Sequence, residues 1–233
     1  MQDASPAGTT LLITGFGPFP GVDHNISSDL AHAIALQFMR QNARIRPTIS
    51  ADALTLPTAW GTANQGLHRA ITRQRPDAIL ALGVSRRATG FTVETRARNI
   101  AKAPDITGIE PHLNHLSAAE RRHRSGRFPA RALVRHLRQK GLPAVRSHNA
   151  GAYLCNALLF DLLARKSTGT DSPGLFVFVH VPAALVDPEP GGLPHRLNWQ
   201  SALDGGLTIA NFIVDWHEQH QRPAFTAAPF IGG

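Results

Sequence analysis

The chain holds 233 residues, 42% hydrophobic and 17% charged, enough for one large α/β domain with a proper core or at most two small ones. No run approaches the roughly 18–20 apolar residues of a membrane span, and Met1–Ser5 lacks the basic start and apolar stretch of a signal peptide, so a cytoplasmic location is expected. The formal charge is +8, but only three of the 24 basic residues are lysines, the arginines are spread along the chain, and 6% aromatic content offers few stacking platforms for bases. A nucleic-acid partner is therefore not expected, and a lone cysteine forms no internal disulfide, in keeping with a reducing compartment.

In chain order, Thr10–Thr14 is predicted as a buried first strand ended by Gly15. Ser27–Met39 follows as a helix, because Leu30, Ala31, Ile34, Ala35 and Phe38 recur at spacings of three and four; Ser27 or Ser28 is the expected cap. Ile49–Leu56 is a second strand, closed by Pro57, and Thr58–Arg73 a second helix with Ala63, Leu67, Ala70 and Ile71 inward. Ala78–Leu82 is a third buried strand, Phe91–Ala101 an extended stretch, and Pro104–His115 a loop. Ser117–Lys140 is expected to be mostly helix, broken near Gly126 and Pro129, with a solvated basic face made by Arg121, Arg122, Arg124, Arg127, Arg131, Arg135, Arg138 and Lys140. Pro143–Val145 leads as a strand into a helix at Tyr153–Arg165; Leu175–Val181 is the last central strand, Pro188–His195 a loop, and Trp199–His220 the closing helix. Alternating strands and helices with near-continuous apolar strands predict a mostly parallel sheet covered on both faces, in a single domain spanning residues 1–233.

Candidate chemistry sits at few places. The run Gly15-Phe16-Gly17-Pro18-Phe19-Pro20-Gly21 follows the first strand, but its prolines lack the N–H groups that cradle phosphate. It reads either as a tight turn or as a loop whose Phe16 and Phe19 wall an apolar pocket at the edge of the sheet. The pairs His112/His115 and His217/His220 do not have zinc-ligand spacing with a completing cluster, so no metal or cofactor is expected. No Gly-x-Ser-x-Gly elbow occurs. Cys155 falls in the first turn of a helix after a strand, where partial positive charge and free N–H groups favour negative charge on sulfur; a buried structural thiol is the alternative. His180 ends the run Leu175–Val179, and one cysteine with one well-placed histidine is the minimum for a thiol hydrolase. Glu94, at the end of Phe91-Thr92-Val93, is either a third member or an ion-pair partner of Arg96 or Arg98.

Four segments together resemble the pyrrolidone-carboxylate peptidases (pyroglutamyl peptidase I, cysteine peptidases): Thr14–Phe19 with Asn25, Glu94–Asn99 followed by Pro104–Pro111, Ala150–Asn156, and Val179–Pro182. The resemblance implies a three-layer α/β/α sandwich of the phosphorylase/hydrolase-like type with a mostly parallel or mixed sheet. It implies Cys155 as nucleophile, His180 as general acid and base, Glu94 as the group that orients it, and Phe16 and Phe19 as the residues that hold the lactam ring. The implied reaction removes an N-terminal pyroglutamyl residue from a peptide through a thioester, and the implied assembly is a homo-oligomer, a tetramer in many prokaryotic relatives. The sequence departs from the family pattern at Thr95, where arginine is usual, at Ala152, where threonine is usual, and in the stretches Ser85–Arg87 and Arg121–Arg127. Those two arginine stretches motivate a second reading, the same scaffold acting on a different acyl amide with acidic or extended substrates. A third reading is a non-catalytic polyanion-binding protein.

Overall fold

The structure, a computed structural model, describes residues 8–118, 123–126, 128–165, 174–185 and 197–221. The Pro188–His195 loop and Arg121, Arg122 and Arg127 lie outside the described residues. The elements are β1 (Thr10–Phe16), α1 (Ile26–Asn42), β2 (Ser50–Leu56), α2 (Thr62–Gln74), β3 (Ala78–Ser85), β4 (Phe91–Glu94), β5 (Arg96–Arg98), β6 (His123–Ser125), α3 (Ala130–Gln139), β7 (Ala144–Ser147), α4 (Leu154–Ala164), β8 (Leu175–Pro182) and α5 (Trp199–Gln221).

Six strands form one sheet in the order β2-β1-β3-β8-β4-β7. β2, β1, β3 and β8 are mutually parallel; β4 is antiparallel to β8, and β7 is parallel to β4, so this pair runs against the other four. The sheet is therefore mixed. Side chains alternate across it. Leu11, Ile13, Leu80, Val177 and Val179 meet α1, α3 and α5 on one face, while Leu12, Ile79, Ala81 and Phe178 meet α2 and α4 on the other. Because both faces are covered, the central strands are apolar at nearly every position. Gly205 and Gly206 let α5 settle onto the first face: a Cβ on Gly205 would come 2.2 Å from the Phe91 ring, and one on Gly206 2.2 Å from Ile34. A two-stranded ribbon of β5 and β6 packs over α4.

Three expectations need correction. Among its described residues the stretch Ser117–Lys140 is helical over Ala130–Gln139 alone, and His123–Ser125 is a strand paired with β5. Arg124 is accordingly no solvated helix residue: its guanidinium stacks 3.9 Å from the Phe160 ring centroid, and its Nη1 donates to Phe160 O at 2.7 Å. Second, α2 starts at Thr62 rather than Thr58, because Thr58 donates its hydroxyl to Pro18 O and Trp60 gives its N–H to Asp105 Oδ2 (2.9 Å). Third, α1 is capped by Asn25, whose Oδ1 accepts from the Ser27 N–H at 3.2 Å. Ser27 lies inside the first turn, and its Oγ accepts the Phe16 N–H at 3.0 Å.

Candidate active site

The sheet register brings three strands to one point. Gly83 of β3 and Thr92 of β4 both pair with His180 of β8, and Glu94 pairs with Phe178, two residues deeper. Phe178 belongs to the face covered by α4, so by alternation His180 and Glu94 share that face. Cys155 is the second residue of α4, which crosses it. The reversal of β4 thus sets a carboxylate beneath the imidazole rather than beside it.

His180 Nδ1 lies 3.0 Å from Glu94 Oε1, and both residues are buried, at 6% and 7% exposure. Glu94 forms this bond and not an ion pair with Arg96 or Arg98; its Oε2 is buried without a partner among the described residues. Burial alone would push the His180 pKa down. Hydrogen bonds to Cys155 and Glu94, with the negative charge at both, outweigh it and raise the pKa to about 9. Gly83 makes the pair possible: a Cβ there would sit 3.0 Å from Cys155 Sγ, 3.2 Å from Phe178 Cζ and 3.3 Å from His180 Cδ2. Missing side-chain volume is what lets sulfur and imidazole meet over the sheet.

These groups lie in a cleft of about 720 Å³ that also includes Phe16, Phe19 and Tyr153. Phe16 is the last residue of β1, almost fully buried, and its backbone is tied to Ser27. Asn25 donates to Gly17 O at 2.8 Å, and Phe19 and Val22 exchange backbone bonds of 3.1 and 2.8 Å. The glycine–proline run is therefore both a tight turn and an aromatic wall. Tyr153 packs edge-on against Trp60 with ring centroids 5.4 Å apart, and lies 6.3 Å from Phe19. Burial, then the charges at Asp105 and Cys155, push the Tyr153 hydroxyl up to about 12, so it stays protonated. Asp105 pins the loop behind this wall. Its own burial works to raise its pKa, but hydrogen bonds from Thr107, Trp60 and Ile109 win and lower it.

The first turn of α4 is held from below. Asn156 is fully buried; its Oδ1 accepts the Arg98 N–H at 2.9 Å, and its Nδ2 donates to Arg98 O and Ile100 O at 2.8 and 3.0 Å. This clamp joins β5 to the residue after Cys155. The opening N–H groups of any α-helix have no partner within it, and in α4 these are the groups of Leu154, Cys155 and Asn156. Thr95 donates to Ser147 O at 2.8 Å and contacts His148 Nδ1 at 2.7 Å, locking the end of β4 to β7.

All five residues singled out in the sequence, Phe16, Phe19, Glu94, Cys155 and His180, line this one cleft. The sequence reading singles out neither Tyr153, which is part of the cleft wall, nor Trp60, which packs against Tyr153. Tyr153 stands two residues before Cys155, which is a usable signal; Trp60 carries none, since its link to the site is tertiary. Elsewhere, His217 faces Asp77 at 3.8 Å. Among the described residues no helix is long and apolar enough to cross a membrane, and no cluster of three or more His, Cys, Asp or Glu is placed to hold a metal.

A family model described as pyroglutamyl peptidase matches residues 9–210. The pyrrolidone-carboxylate peptidase of Bacillus licheniformis is 30% identical over 220 residues, covering 92% of this chain and 96% of that protein. The corresponding protein of Chromobacterium violaceum is 33% identical over 175 residues, 74% of this chain and 77% of its own. Among solved structures, pyroglutamyl peptidase I of Bacillus amyloliquefaciens superposes with a TM-score of 0.72 at 23% identity, covering 90% of this chain and 98% of that one. A mutant pyrrolidone carboxyl peptidase of Pyrococcus furiosus gives 0.72 at 21% identity, with 89% and 99% covered. These two likenesses speak to the fold, and the described α/β/α arrangement is theirs. The chain belongs to the pyroglutamyl peptidase family of cysteine peptidases.

Proposed function

We propose that this family member removes an N-terminal pyroglutamyl residue from peptides, with Cys155 as nucleophile, His180 as general acid and base, Glu94 as the group that orients His180, and Phe16 and Phe19 as the walls of the lactam slot. The observation that carries this reading is the buried Glu94–His180 hydrogen bond set beside Cys155 Sγ over Gly83, at the floor of an aromatic cleft.

A compact, neutral lactam suits an apolar slot with a few hydrogen-bonding groups. Glu94 holds the proton on Nδ1, which leaves Nε2 for sulfur. With a pKa near 9, His180 is an imidazolium at neutral pH, a cation against which Sγ reacts as a nucleophile. Sulfur attacks the carbonyl carbon that links pyroglutamate to the next residue. The oxygen gains the displaced electron pair and is stabilised by the opening N–H groups of α4. The tetrahedral species collapses as the C–N bond breaks, and Nε2 gives its proton to the leaving amine. Neutral His180 then takes a proton from water, whose oxygen attacks the thioester; pyroglutamate leaves, and the sulfur–imidazolium pair is restored. No electron acceptor or metal is required at any step.

The test is release of fluorophore from a pyroglutamyl-arylamide under reducing conditions, wild type beside Cys155→Ala. Turnover by the first and none by the second is expected. A folded wild type that leaves the substrate intact, or an active Cys155→Ala protein, overturns the reading. The same reading takes the chain as one domain acting in the cytoplasm, where the thiol stays reduced, and as a homo-oligomer in line with its family. Sedimentation velocity of the purified protein tests the last point, and a monomer at assay concentration removes it.

A further inference from the structure

The cleft holds charge that the reaction above leaves idle. Arg86, Arg87 and Arg98 line it, and the single carboxylate among its lining residues, Glu94, is already bound to His180. Arg86 and Arg87 are exposed on the turn after β3, which is fixed by the Arg87 N–H on Ser85 Oγ (3.2 Å) and the Ala88 N–H on Ser85 O (3.2 Å). Arg86 Nη2 donates to Gly21 O at 3.2 Å, so its guanidinium is anchored beside the Phe19–Val22 turn. The Arg87 guanidinium has no hydrogen bond or ion pair among the described residues. Arg98 also lines the cleft: Nη2 donates to Gly151 O at 3.2 Å, and its Nε is buried with no partner among the described residues.

A pyroglutamyl ring has no charge to meet these groups, and its aromatic slot asks for none. What emerges from the slot past the scissile bond is the leaving peptide. A row of cations at the mouth of a low-dielectric cleft focuses positive potential there, and the planar fork of a guanidinium fits a carboxylate better than any other peptide group. We infer that the Arg86–Arg87 rim, backed by Arg98, selects pyroglutamyl peptides with a carboxylate close behind the scissile bond, supplied by an acidic side chain in the next residue or by the free C-terminus of a short peptide. This rests on the reaction proposed above.

The experiment compares kcat/KM for pyroglutamyl-Glu-amide, pyroglutamyl-Ala free acid, pyroglutamyl-Ala-amide and pyroglutamyl-Lys-amide. The first two separate the side-chain source from the C-terminal one. A carboxylate-bearing peptide is expected to exceed the neutral amide by about five- to tenfold, mainly through KM, the range for partly exposed charge pairs. The advantage shrinks as salt rises, because pairs at the mouth are screened over about 8–10 Å. In Arg86→Ala/Arg87→Ala protein the ratio falls towards one, and in Arg87→Glu protein the lysine peptide overtakes the glutamate peptide. Equal rates across the panel, or a preference that survives both variants, overturn the inference. Turnover without preference strikes the rim alone, whereas no turnover of any peptide strikes the reaction. In that second case calorimetric binding of the same four peptides to Cys155→Ala protein still decides the rim: tighter binding of the carboxylate peptides upholds it, and equal binding sinks it.

Discussion

Two concavities of similar size lie on opposite faces of the sheet, and they differ in what converges inside them. The cleft over Cys155 holds about 720 Å³; the groove between α1, α3 and α5, bordered by Gln41, His136, Lys140, Asp204 and Trp216, holds about 620 Å³. The groove has both signs of charge and a stacked aromatic pair, Phe212 and Trp216. Its carboxylates are exposed and engaged away from one another, Asp204 with Gln200 (2.9 Å) and Asp215 with Arg46 (2.7 Å), and His136 spends its ring against Phe212 at 5.8 Å. In the cleft, by contrast, two ionisable residues less than one-tenth exposed bond each other beside a thiol, and the imidazole pKa is raised by both neighbours. Volume alone does not mark chemistry; buried titratable groups that perturb one another do.

Four measurements sharpen or break that contrast. The largest effect is expected from Cys155→Ala, which removes turnover while the melting temperature stays near wild type, since the thiol fills little core volume. Next is Glu94→Gln, expected to lower kcat by about 10³-fold or more, the scale seen when an imidazole loses its orienting charge. The same variant shifts the pH profile. Because the His180 pKa is raised to about 9, its proton is retained through neutrality and lost above it, so wild-type kcat/KM falls on the alkaline side near pH 9. Removing one of the causes of that rise moves the alkaline limb to lower pH; an unmoved limb would mean Glu94 does not act on His180. The stability linkage has the same sign: a folded pKa above the unfolded value of 6.5 gives stabilisation that is full below pH 6.5 and fades as pH climbs through about 9.

Gly83→Ala comes third. The added methyl must displace sulfur or imidazole by a few tenths of an ångström, and misplacement of reacting groups on this scale costs about 10- to 100-fold in rate. Circular dichroism should be unchanged and alkylation of Cys155 altered; full activity would show that the pair has slack. The smallest effect is His136→Ala in the groove, expected to leave kcat/KM within about twofold, as for surface changes remote from a site. A large loss there would erase the distinction between the two concavities.

The strands β1, β3 and β8 and the helices α1 and α5 were legible because their apolar periodicity is unbroken, and Cys155 and His180 because each follows a strong local signal. Strand order was not legible, since periodicity tells which face a residue takes and not which strand lies beside it. The reversal of β4, which sets Glu94 under His180, is invisible for that reason. Arg124 misled in a different way: a basic run looks solvated, yet this guanidinium is flat enough to stack on Phe160 and still bond a carbonyl. Trp60 and Tyr153 meet only through tertiary packing, 93 positions apart along the chain.

Strand order also has a consequence in time. Among the described residues β8 is the last strand, yet it sits between β3 and β4, so before residues 175–182 exist the described sheet is two unjoined pieces, β2-β1-β3 and β4-β7. The same late strand carries His180, 86 positions after Glu94. A nascent or truncated chain ending before it already contains Cys155 but has neither the histidine nor the pairing that lifts Glu94 into place. The thiol is made first and armed last, and during refolding the return of turnover would report the closing of the sheet itself.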